Sequence, residues 1–156
     1  MGARGARSRD ELDDVLAMPL RLLMGVRDFR GAMGGCSADG PEKLAARSLL
    51  DALVDECFPI LEFYSDQLED LEDQALTSPS RDTMQRIHAI KRELLMVRRT
   101  IWPMREVINT LQREKHECMS EVTRTYLRDL YDNCVQIIDL VETYREFATS
   151  LAEIYM

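Results

Sequence analysis

The sequence predicts an all-α protein, an elongated antiparallel helical bundle or coiled coil built from three long helices. Three observations point there. From Glu42 onward no segment alternates apolar and polar residues at the strand period. Apolar residues recur instead about every 3.5 residues over long distances, the seam of a helix made to pack on another helix. Only two turn signals interrupt the pattern, Ser78-Pro79-Ser80 and the stretch before Ser120, so each helix runs well past the roughly 8 to 20 residues common in globular folds.

Residues 1–43 are left unassigned by the pattern, either a leader or the remnant of a preceding domain. Asp10 to Arg30 has the apolar content of one short helix broken at Pro19, and Gly31 to Pro41 reads as a loop because its glycines and proline disfavour any regular element. Residues 44–156 hold the helical region. Its first helix, from about Glu42 to Thr77, ends at the Ser-Pro-Ser step, where Ser78 can cap and Pro79 suits a first helical turn. The second, from Pro79 or Ser80 to Lys115, carries the seam Ile87, Ile90, Leu94, Val97, Ile101, Met104, Ile108 and Leu111. Ser120 caps the third, whose seam is Leu127, Leu130, Cys134, Ile137, Val141, Tyr144, Ala148, Leu151 and Tyr155. Pro59 and Pro103 fall inside the first two helices. Each removes one backbone hydrogen bond, so two kinks are expected.

Charge pairs the first two helices. Ser48 to Ser80 holds nine acids and no Lys or Arg, whereas Arg81 to Lys115 holds nine bases and four acids, a balance of -9 against +5. Opposite signs on consecutive helices predict an antiparallel hairpin turning at Thr77 to Ser80. Exposed pairs contribute only a few tenths of a kcal/mol each and therefore choose the partner more than they supply stability. The third helix, with its long apolar seam, must fold back on the hairpin or self-associate to keep that stripe from water.

Composition narrows the function. At 156 residues with 46% hydrophobic residues, the chain suits one domain with a real core. A formal net charge of -8 argues against nucleic acid and against an anionic membrane face, and favours cations. No stretch reaches the roughly 18 to 20 apolar residues of a spanning helix, and acids at Asp10, Glu11, Asp13 and Asp14 spoil any signal peptide. Cys36, Cys57, Cys118 and Cys134 show no CxxC spacing, and Cys57 and Cys134 lie on apolar stripes as reduced core thiols. His88 and His116 belong to no HExxH or ExxH pattern, and nucleophile-elbow and phosphate-loop motifs are missing, so no enzyme is expected. Carboxylates remain as candidates, since Mg²⁺ prefers oxygen ligands and keeps much of its water. The run Glu69, Asp70, Glu72, Asp73 reads first as a solvated face.

Three blocks carry a family resemblance: LLDALVDECFPILE (Leu49 to Glu62), QRIHAIKRELLMVRRTIWPMREV (Gln85 to Val107) and YLRDLYDNCVQIIDLVETYRE (Tyr126 to Glu146). In this order and spacing they resemble the cytoplasmic helices of the CorA-type magnesium and cobalt channels, with Trp102-Pro103 as the family marker. From the residues alone, Trp102 beside the seam is expected in the core or at a helix-helix contact. The resemblance implies a hairpin of two helices beside a stalk helix, in a homopentamer that passes Mg²⁺ or Co²⁺ through a membrane under the control of regulatory cations bound between subunits. It assigns metal-binding aspartates to Asp51 in LLDALVD and Asp129 in RDLYD, whose family partners include acids of a neighbouring subunit's α/β domain. Glu153 in LAEIY matches an acidic ring near the cytoplasmic mouth of the pore, and Asn133 stands where relatives often carry His. The family's stalk continues into a transmembrane span ending in Gly-Met-Asn, which this sequence does not contain. The expectation is therefore a fragment holding the regulatory helices, itself soluble and cytoplasmic, touching a membrane only through segments outside it. The alternative is a soluble helical-bundle interaction protein that uses the same heptads to bind a partner.

Overall fold

Two of the three long helices in the computed structural model start where a serine side chain satisfies an orphan N–H group of the first turn. The structure describes residues 48, 50–52, 54–77, 80–113 and 120–154. Within these lie α1 (Cys57–Thr77), α2 (Arg81–Arg113) and α3 (Glu121–Ile154), preceded by helical residues between 48 and 55. Ser80 Oγ accepts the Thr83 N–H at 3.2 Å, and Ser120 Oγ accepts the Thr123 N–H at 3.2 Å. In both caps the serine hydroxyl also bonds the threonine hydroxyl, at 2.8 Å and 3.0 Å. Thr83 and Thr123 are buried, so one Ser-x-x-Thr device caps both helices and plugs the adjacent core. Asp82 and Glu121 then place a negative charge in each first turn, where the helix dipole favours it. The expected cap at Ser78 lies outside the described residues, and the cap of α2 is Ser80.

The two prolines behave differently. Glu56 is a turn, although its N–H still reaches the Ala52 carbonyl at 3.0 Å, and α1 restarts at Cys57. Pro59 thus sits in a first turn, where a missing N–H costs little. The expected kink in a single first helix is a break ahead of Cys57. Pro103 remains inside α2, which runs through it for 33 residues.

The seams pack as their period dictates. All eight predicted positions of α2 are buried, as are Leu127, Leu130, Cys134, Ile137, Val141, Ala148 and Leu151 of α3. Tyr144 is half-buried. They meet Leu50, Val54, Cys57, Ile60, Leu61, Tyr64, Leu68 and Leu71 in one continuous core. The 34 residues of α3 give it a length of about 51 Å, so the core is a long seam rather than a sphere.

Cross-helix bonds set the directions. Arg86 donates to Gln74 and Gln67 of α1, each at 3.2 Å, while Glu93 further along α2 meets Tyr64, so rising numbers on α2 meet falling numbers on α1. Gln112 donates to the Leu127 carbonyl at 2.7 Å, while Arg98 pairs with Glu142, which makes α2 and α3 antiparallel as well. The hairpin is therefore present, and the stalk folds back on it. Charge, however, is not what holds the hairpin. The α2–α3 interface is the largest of the three and α1–α2 the smallest. Among the described residues Arg86 reaches α1 through amides, and the cross-helix ion pair joins α2 to α3. Burial of the two longest apolar seams outweighs surface charge pairs worth a few tenths of a kcal/mol each.

The expected broken helix at Asp10 to Arg30, the Gly31 to Pro41 loop, Cys36, Cys118, His116 and Tyr155 lie outside the described residues.

Candidate functional site

Asp51, Asp129 and Glu153 are all exposed. Asp129 and Glu153 stand 24 residues apart on α3, about 36 Å along the axis, and so cannot share an ion within one chain. Asp51 and Asp129 are related differently. α1 and α3 both run antiparallel to α2 and hence parallel to each other. Cys57 and Cys134 are near neighbours in the core, where burial pushes both thiols up to about 12 and each leaves a reduced, inert sulfur. Asp51 lies six residues before Cys57, and Asp129 lies five before Cys134. Parallel helices therefore bring the two aspartates to one end of the bundle and to about one level. They do not form a chelate there. Among the described residues no group of three or more His, Cys, Asp or Glu side chains is arranged to hold a metal ion. Two exposed carboxylates do not by themselves dehydrate Mg²⁺, so the described residues of one chain assemble no chelate around Asp51 and Asp129.

The remaining acids of α3 are ordered. Asp132 and Asp139, two turns apart, line a shallow open groove with Val135, Gln136, Leu140 and Thr143. Glu69, Asp70 and Asp73 of α1 are exposed and Glu72 half-buried, the solvated face expected of a charge run. His88 is exposed, and Asn133 is half-buried.

Two buried or stacked groups escaped sequence reasoning. Tyr64 is buried and hydrogen-bonded to Glu93 of α2. Desolvation raises the Glu93 carboxyl above its ordinary value, against the opposing pull of the Tyr64 hydrogen bond and of Arg92. Desolvation likewise raises the Tyr64 phenol, helped by the Glu93 charge. The signal was present as a tyrosine on the α1 seam, a core position whose hydroxyl must find a partner. Trp102, expected at a helix-helix contact, is instead 42% exposed and clasped by Arg98 and Arg105, whose guanidinium carbons lie 5.5 Å and 4.5 Å from its ring centroid. The cation–π contacts cover an indole that the seam does not reach.

The sequence profile of the CorA-like Mg2+ transporter protein family matches residues 21–156, and the chain belongs to that family. The match reaches back into the leader. A cobalt/magnesium transport protein CorA of Thermotoga maritima is 43% identical over 109 residues, covering 70% of this chain and 31% of that protein. A putative metal ion transporter of Bacillus subtilis is 29% identical over 69% of this chain and 34% of its own length. The complete structure of the CorA magnesium transporter from Methanocaldococcus jannaschii superposes with a TM-score of 0.67 at 28% identity, over 72% of this chain and 35% of that one. The soluble domain of the same protein gives 0.66 at 29% identity, over 45% of its chain. The chain thus spans about a third of the curated relatives it matches. Among the described residues no helix is long and apolar enough to cross a membrane.

Proposed function

We propose that residues 44–156 form the cytoplasmic helices of a divalent-cation channel, with α1 and α2 as the hairpin and α3 as the stalk that leads toward the pore. The whole protein would move Mg²⁺ or Co²⁺ as a homopentamer, and this region would gate it rather than catalyse a reaction. The observation that carries the reading is the 43% identity to a cobalt/magnesium transport protein over 109 residues. The exposed acids of α1 and the net charge of -8 support it, because a negative surface concentrates cations. Asp51 and Asp129 are each half of a regulatory site whose other half belongs to a neighbouring subunit. Their exposure at one level leaves them open to such a partner. Glu153, exposed on the last turn of α3, is one member of a ring of carboxylates at the pore mouth.

A chimera tests this. Residues 48–154 replace the equivalent stretch of the Thermotoga maritima relative, and Mg²⁺ uptake is followed in proteoliposomes. The reading predicts uptake that closes as Mg²⁺ rises on the side bearing the helices, and closing shifted to higher Mg²⁺ by Asp51→Ala and Asp129→Ala. Uptake that ignores Mg²⁺, or that both variants leave unchanged, contradicts it.

A further inference from the structure

We infer that the outer faces of α1 and α2 are the two halves of a contact between copies of this chain, the acidic stripe of one copy lying along the basic groove of the next. The acidic half is written at helical spacing. Glu62, Asp66, Glu69 and Asp73 recur every three or four residues of α1 and all are exposed, with Asp70 beside them. None of them takes part in an ion pair among the described residues. Leu76 continues the stripe at the same spacing and is 70% exposed, an apolar foot at its end.

The basic half is an open groove of about 650 Å³ lined by Gln85, His88, Lys91, Arg92 and Leu95 of α2 and by Arg145 of α3. No carboxylate lines it. Glu142, three residues before Arg145, is already shared between two guanidiniums, those of Arg98 and Arg145. Arg81 and Arg99 are exposed to either side, so the cationic face extends about 27 Å along α2, against about 17 Å from Glu62 to Asp73. Leu95 offers the groove's apolar contact, and Met96 beside it is 43% exposed.

The two halves cannot meet within one chain. α1 touches α2 through Gln67, Gln74, Arg86, Tyr64 and Glu93, on other sides of both helices. A second copy supplies the occupant because the complementary charges are carried by the same sequence at a common helical period, and the acidic stripe of about 17 Å fits within the basic face of about 27 Å. Each copy then uses two different faces, a heterologous contact that a closed ring can repeat. The inference does not depend on transport, and a chain that fails to gate a channel can still associate this way.

The test uses the full chain and two charge-reversed variants, R92E/R99E on the basic face and D66R/E69R on the acidic one. All substituted residues are outside the core, so far-ultraviolet circular dichroism should report the wild-type helix content. Sedimentation velocity at low salt should show concentration-dependent association of the wild type that weakens as salt screens it. Each variant alone should associate on the order of tenfold more weakly, since two favourable pairs become repulsive. An equimolar mixture of the two variants should recover association, because the reversed α1 of one fits the reversed α2 of the other. A wild type that stays monomeric at low salt and millimolar concentration overturns the proposal. So do single variants that associate like wild type, and a mixture that does not recover. Inorganic polyphosphate bound through Arg92 and Arg99 without any self-association would assign the groove to a small anion instead.

Discussion

At the scale of single residues, the least expected chemistry is the Tyr64–Glu93 clasp between α1 and α2. Ordinary Glu residues lose protons near 4.5, and burial holds Glu93 above that value despite its hydrogen bond from Tyr64. A carboxyl whose folded pKa is raised favours the folded state most when protonated. Its contribution is complete below the unfolded value and is lost as pH rises through the folded one. The stability of the wild type relative to Glu93→Gln should therefore fall as pH is raised from about 4 to about 7, because the glutamine keeps an acceptor for Tyr64 and never charges. Thermal melts of both proteins across that range check it, and a difference that stays flat or grows removes the raised pKa from the account. Nothing in the spacing of Glu93 foretold this, since a lone acid at a flanking position of a seam looks solvated until its partner helix is placed. Trp102 failed in the opposite direction. Its bulk suggested packing, but at its position beside Ile101 the seam is already filled, and two arginines a turn to either side cover the ring.

At the scale of elements, caps and seams were legible because their rules are local. Period-3.5 apolar positions identified all eight buried apolar residues of α2, though not the buried Thr83 and Thr100, and Ser120 was readable as a cap from its place before a helical pattern. The position of the α2 start was harder, since Ser78 and Ser80 both precede it and only Ser80 has a threonine three residues on. Ser80→Ala and Ser120→Ala should each lower stability by about 0.5 to 2 kcal/mol. Each also leaves a buried threonine hydroxyl without its serine partner. Chemical denaturation measures this, and a cost near zero for either would deny the cap its role. The break ahead of Cys57 was not legible. Pro59 announced a disturbance, but whether a helix bends through a proline or restarts before it depends on packing of the residues upstream.

For the molecule as a whole, fold class followed from periodicity and the absence of strand patterns, whereas the cost of an exposed seam left α3 to fold back or self-associate, and the structure shows it folded back on α2. What sequence could not supply was the ranking of interfaces. Whole-helix charge suggested α1 against α2, whereas the two longest apolar seams, on α2 and α3, make the largest contact. For the candidate site, Asp51 and Asp129 were singled out by motif resemblance alone, and their common level follows only from the parallel course of α1 and α3. The central proposal is that they are one side of a cation site whose other side lies on a neighbouring subunit. Calorimetric titration of the isolated chain with Mg²⁺ tests it most directly. With no third ligand group assembled and Mg²⁺ slow to give up water, no saturable heat is expected from micromolar to low-millimolar Mg²⁺, and only a weak, salt-like stabilisation at higher concentration. Saturable binding in that range, abolished by Asp51→Ala and by Asp129→Ala alike, would show that a single chain holds the ion by itself.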